Sequence, residues 1–349
     1  NVSDELGLGL TEYEKTIIGK SYTTNAEAER LYMKGLFFWN KRNIKDLETS
    51  IGYFNQAIEK DQNYAIAYSG LSKTYALMPL YGNFRPKKYV PLAKKAAIKA
   101  LELDPELAEA HTSLAYLATT YDFDWKSAER EYKLAIALNP NNSTSHQWYA
   151  EYLAFSGKPD AALSEISKAL ELDPFSLVIN RMKGNILGFQ KKYDEAIRQL
   201  KKTEELYPEN ALVRFNIGDI FAAKRQYGEA VSQYLAAFKL DGKGRSKIVR
   251  LEGAFKKDGW KGFWTEYLNV LLREREEGLS KTGDAHLNSE SIAYAYAATG
   301  NREKAIEFLS EAYEERDPSL VTIKMSGVYD ILNEDPRYKA LLRKIGLPE

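Results

Sequence analysis

The 349-residue chain has no cysteine, three histidines and no surplus of either charge, with Lys+Arg 49 against Asp+Glu 49. Each absence removes a class of chemistry. Without cysteine there is no disulfide framework, thiolate zinc site or thiol nucleophile. This leaves the compartment open, because cytoplasm and periplasm suit a cysteine-free chain equally. A balanced charge supplies no basic field to recruit nucleic acid, so no nucleic-acid contact is expected. No apolar run approaches the ~20 residues of a membrane helix, so no membrane insertion is expected. The phosphate-loop pattern G-x-x-x-x-G-K-[ST] is missing, as are G-x-S-x-G and H-E-x-x-H. Gly7 to Leu10 (GLGL) lacks the strand and third glycine of a nucleotide loop. Paired carboxylates such as Glu204 and Glu205 occur, but charged helix faces produce them freely. The expectation is a chain that is not an enzyme and needs no cofactor.

What is present is repetition. Stretches of the form LDP recur at Pro105, Pro140, Pro174, Pro208 and, as LDG, at Gly242, spaced by 35, 34, 34 and 34 residues. A fixed period of this length marks stacked supersecondary units. In the unit ending at Pro174 the small and apolar residues are His146, Tyr149, Ala150, Leu153, Gly157, Ala162, Ile166 and Ala169. The next unit matches with Asn180, Gly184, Leu187, Ala196 and Leu200, and the one after with Ile217, Gly218, Phe221, Ala230, Tyr234 and Ala237. Offsets of three, four and seven are helical, so each unit holds two helices and a short turn. Gly or Ala falls where the helices cross, and Pro stops the second helix.

These residues resemble the tetratricopeptide repeat family, which implies an all-α fold of antiparallel helix pairs stacked into a right-handed superhelical solenoid with a concave groove. The resemblance extends outward through looser units. Gly35, Phe38, Phe54 and Ala57 fit if about three residues are inserted near Lys45. Tyr68, Leu71, Tyr75, Ala93, Ala97, Ala100 and Pro105 fit if about nine are inserted between Pro79 and Pro86. Ile248, Phe255, Gly259, Trp264, Leu268 and Leu271 form a degenerate unit. Ile292, Ala293, Tyr296, Gly300, Ala305, Leu309 and Ala312 restore the standard one. The count is about eight helix pairs. The expected division is a junction or capping segment over 1–25, the array over 26–318, and a link with a closing helix over 319–349. End units need a polar outer face, so both tails read as caps.

The phrases DFDWKSAEREYKLAIALNPN, HQWYAEYL, EAYEERDPSLV and EDPRYKALLRKIGL resemble a narrower bacterial group. There the array lies C-terminal to a signalling domain: a winged-helix regulator, an adenylate or guanylate cyclase or a protein kinase, often with a TolB-like segment between. The start at Asn1 rather than Met fits a piece of a longer protein. This resemblance implies a regulatory or sensory scaffold that binds a protein or peptide in its groove, either cytoplasmic or the extracytoplasmic part of an anchored protein. Two alternatives stay open. One is a small-ligand sensor whose groove is closed by the insertion near Gly82; the other is a structural module that packs on its own N-terminal domain or on a second copy as a homodimer.

Some members of the family grip the C-terminal carboxylate of a partner with Lys, Arg and Asn on successive first helices. Here Arg181, Asn185, Asn216 and Arg250 stand at such positions, with Arg181 where Lys is usual and Ser246 where a second Lys would be. Arg can hold a carboxylate with two parallel hydrogen bonds. Asn at these positions also serves packing. Tyr32, Trp39, Tyr116, Phe155, Phe189 and Phe215 are candidates to line the groove as peptide anchors. The basic run from Lys239 to Lys261 is either a patch for an acidic segment or a solvated face. His111 and His146 occupy equivalent positions in adjacent units, but no third ligand accompanies them. They read as packing residues, and no metal is expected.

Overall fold

The computed structural model describes residues 22–82, 84–242, 244–282 and 288–348. Residues 1–21 of the expected N-terminal junction or capping segment, and Lys243 of the basic run, lie outside these. Sixteen α-helices run α1 (Ala26–Asn40), α2 (Ile44–Lys60), α3 (Ala65–Gly82), α4 (Pro86–Leu103), α5 (Ala108–Leu117) and α6 (Trp125–Leu138). They continue through α7 (Ser143–Phe155), α8 (Pro159–Leu172), α9 (Leu177–Phe189), α10 (Tyr193–Leu206), α11 (Ala211–Ala223) and α12 (Tyr227–Leu240). Last come α13 (Arg245–Thr282), α14 (Ser289–Ala298), α15 (Arg302–Glu315) and α16 (Pro336–Ile345). Asp258 and Gly259 (φ +61°) break α13 into two arms, so α1 to α15 form eight antiparallel pairs.

The reasons lie in the repeat positions. Ala128, Ala162, Ala196 and Ala230, one per unit, are fully buried because the paired helices cross there. The fully buried Phe54 ring fills the wedge between α1, α2 and α3. A Cβ built on Gly35 would sit 2.5 Å from that ring, and one on Gly70 2.7 Å from it, so both positions need hydrogen. Side-chain oxygens at Asn25, Asn43, Asp124, Asn142, Ser176, Asn210 and Asn301 cap their helices by accepting from backbone N–H groups one turn in. His111, His146 and Asn180 occupy one repeat position and share one task. Each bonds the carbonyl oxygen of the proline closing the preceding unit, at 3.1, 2.9 and 2.9 Å. The outer ring nitrogens of the histidines meet Glu131 and Glu165 at 2.7 and 2.6 Å.

Two departures from the 34-residue period have structural consequences. The single extra residue of the 35-residue interval is absorbed as a π-helical turn, Ala118–Asp122, at the end of α5. An inserted residue of this kind shifts the direction in which the chain leaves its helix. Here the chain enters the left-handed region at Phe123 (φ +58°) and the Phe123 ring stacks on Tyr313, centroids 5.9 Å apart. The nine-residue insertion of the second unit lengthens α3 and α4 to 18 residues each, against 13 and 14 in α9 and α10.

The C-terminal part does more than cover α15. After Asp317 two 3₁₀ segments, Pro318–Met325 and Gly327–Leu332, lead into α16. Pro318–Met325 lies along α3, the π-turn and α7 on the inner side of the array, with Leu320, Val321 and Ile323 buried. The indole N–H of Trp125 donates to the Ile345 carbonyl oxygen at 2.6 Å, across 220 residues of chain. Gly346 takes φ +79° over that ring, where a Cβ would come within 2.6 Å. The array therefore closes on itself, its last unit meeting its third.

Candidate functional site

Closure leaves an inner cavity of about 740 Å³. Its wall is assembled from first helices at the repeat spacing: Tyr116 on α5, Glu151 and Phe155 on α7, Arg181, Asn185 and Phe189 on α9, and Phe215 on α11. The lengthened α3 adds Leu80 and Tyr81, the α1–α2 turn adds Lys41 and Arg42, and Pro318, Ser319, Val321 and Thr322 form part of the boundary. The volume is that of a small-molecule pocket or a few peptide residues.

Arg181 and Asn185 line this cavity, and Arg181 Nη1 donates to Asn216 Oδ1 at 3.0 Å. Arg250 does not join them. It is half-exposed and ion-paired with Glu266 at 3.1 Å across the arms of α13, whose break at Gly259 gives this unit a geometry of its own. Of the six aromatic candidates, Tyr116, Phe155, Phe189 and Phe215 face the cavity. Tyr32 is buried against Phe54 and Tyr64, and Trp39 lies beneath Arg42, 3% exposed. In the basic run, Lys247 pairs with Glu274 at 2.7 Å and Lys256 with Glu252 at 2.6 Å.

Sequence reasoning passed over Arg42 and Lys73. Both are more than nine-tenths buried and both stand over the Trp39 ring, Arg42 Cζ at 3.4 Å and Lys73 Nζ at 4.3 Å from its centroid. Burial lowers the Lys73 ammonium to about 8 and also pulls Arg42 down. Glu151 accepts from Gln147 at 2.8 Å, and burial raises its carboxyl above the ordinary range, opposed by Gln147, Arg181 and Arg42. Repeat spacing could not flag Arg42 or Lys73, because neither sits on a repeat position.

The comparisons agree with the architecture. The tetratricopeptide repeat pattern matches residues 181–244, and a second one matches 290–317. Both stretches carry tetratricopeptide repeats. Among solved tetratricopeptide-like structures, a human IFIT1 dimer with m7Gppp-AAAA is 15% identical, with TM-score 0.55 over 90% of this chain and 75% of that one. An IFIT1 monomeric mutant with Gppp-AAAA is 14% identical, with TM-score 0.51 over 91% and 74%. Yeast Tom70 is 18% identical, with TM-score 0.49 over 93% and 69%. At these identities the likeness is one of fold. No protein of curated function matches the sequence. The tetratricopeptide fold supports a scaffold for protein–protein interaction, and no helix among the described residues is long and apolar enough to cross a membrane.

Proposed function

We propose that this array is the regulatory scaffold of a larger bacterial signalling protein, and that its concave face receives a short polypeptide segment of a partner. In this division 26–318 is the array and 319–349 the closing piece. One observation carries the reading: an irregular segment, Pro318–Met325, lies against α3, the π-turn and α7 on that face, with buried Val321 on the cavity wall and Leu320 and Ile323 anchored in the core beside α14 to α16. A groove that accommodates one 3₁₀ stretch has the form needed for another short segment. Arg181, Asn185 and Asn216 offer donors to a C-terminal carboxylate or an acidic side chain, and Tyr116, Phe155, Phe189 and Phe215 offer anchors. The bound m7Gppp-AAAA belongs to human IFIT1; here 49 basic against 49 acidic residues favours a polypeptide over RNA.

The test is binding of a peptide library with free and amidated C-termini to the wild type, to Arg181→Ala, and to a Leu320→Ser, Ile323→Ser variant that loosens the inner segment. Peptide binding should be detectable in the wild type and strengthen in the Ser variant. Peptides that bind none of the three proteins would refute the proposal.

A further inference from the structure

On its α1–α2 side the cavity is lined by Arg42, with the Trp39 ring beneath it. Arg42 follows α1 in the left-handed region (φ +54°), and the residue is 7% exposed. The group stacks on Trp39, lines the cavity, and makes no ion pair or side-chain hydrogen bond among the described residues; its Nε is fully buried without a partner. The indole N–H of Trp39 is buried and unpartnered as well. Lys73, on the same ring, has no carboxylate partner among the described residues. Buried donors are almost always satisfied, so two orphaned side by side require an explanation. A guanidinium held away from water without a counter-charge is costlier still. Arg181 stands close enough for its charge to disfavour that of Arg42, and it spends one N–H on Asn216.

The acidic groups do not cancel this. Glu151 faces the two arginines from α7, but it is hydrogen-bonded to Gln147 and ion-paired with neither. Glu209 and Asp241, the other carboxylates on the wall, are exposed to solvent. Lys41 already has Asp46, at 3.5 Å. What the interior lacks is an anionic acceptor bonded to the Arg42 guanidinium, beside a wall of aromatic rings.

We propose that this cavity binds a small organic anion, a carboxylate or phosphate on an apolar or aromatic body, with Arg42 and Arg181 as its receptors. Two planar guanidinium groups on different elements suit the several oxygens of either anion. About 740 Å³ takes a metabolite-sized molecule, and Tyr116 and Phe155 supply flat faces for its body. Pro318, Ser319, Val321 and Thr322 share this boundary, so an occupant touches the segment that closes the array. The site goes beyond the polypeptide reading and stands if that reading fails.

Phenyl phosphate, benzoate, inorganic phosphate and neutral benzamide are the probes, with affinity read by ligand-observed NMR and thermal shift at millimolar concentration. Variants are Arg42→Met, Arg181→Met and, outside the cavity, Arg250→Met. Phenyl phosphate or benzoate should bind and raise the melting temperature, with benzamide inert. Each cavity variant should weaken binding at least tenfold and Arg250→Met should leave it unchanged. Preference for phenyl phosphate assigns a phosphate ligand, and preference for benzoate a carboxylate. Should circular dichroism show Arg42→Met unfolded, Arg181→Met decides alone. Absence of binding by both anions, or binding that survives loss of Arg181, overturns the proposal. Inorganic phosphate binding equally to Arg250→Met and to both cavity variants identifies an adventitious ion only and overturns it too.

Discussion

Replacing Trp125 by Phe isolates the contact that closes the array. The ring volume is largely kept, along with its packing on Tyr152, 5.5 Å away, so the main loss is the 2.6 Å hydrogen bond to the Ile345 carbonyl. Removing one partner of a part-buried hydrogen bond costs about 1–2 kcal/mol. In a repeat array this energy acts locally, on the opening of the closing piece, and it multiplies that opening by about 5–30-fold. Amide hydrogen exchange reads it directly. Amides of α16 should exchange about 5–30 times faster, while those of α9 and α10 stay as in the wild type. Unchanged protection of α16, or an equal loss along the whole chain, would refute the reasoning.

Phe54→Ala should cost about 3–5 kcal/mol, because the fully buried ring sits against Gly35 and Gly70, which have no side chains to fill the void. Chemical denaturation should show the first two units lost ahead of the rest. Gly346→Ala forces φ +79° on a residue with a Cβ and drives that atom toward Trp125, so α16 should again lose protection. Stability should also respond to pH. Burial, with Asp317 nearby, pushes Glu290 up to about 7, and burial raises Asp219 to about 6. Both groups hold protons in the folded state that the unfolded chain releases nearer ~4. Their contribution is therefore greatest at low pH and is lost as pH rises from about 4 to about 7. Glu290 accepts from Tyr329 at 2.8 Å, so Glu290→Gln should flatten the melting-temperature profile over that window. A Glu290→Gln profile parallel to the wild type would count against the assignment.

The sequence made the stacked helix pairs legible because small residues recur where helices cross, and Ala128, Ala162, Ala196 and Ala230 are buried for that reason. Even the irregular interval before Pro140 was visible as one extra residue, although nothing local said it would become a π-turn that aims Phe123 at Tyr313. Closure was not legible. It depends on contacts such as Trp125 with Ile345, separated by 220 residues and outside any period. The same limit applies to the cavity. Register placed Arg181, Asn185, Phe189 and Phe215 on one face, but could not show that Arg250 would turn to Glu266 once Gly259 broke its helix. Nor could it show that Trp39 would lie under Arg42 and Lys73, which belong to no repeat position.

The array folds back so that its own C-terminal piece lies along the inner face. The chain has no cysteine, so spin labels can be placed at will through Lys126→Cys and Lys344→Cys, both at exposed positions beside the Trp125–Ile345 contact. Pulsed electron-spin distance measurement on the doubly labelled protein should give one narrow distribution at short range. A broad distribution at long range, as from an open solenoid with a free C-terminal end, would contradict the account.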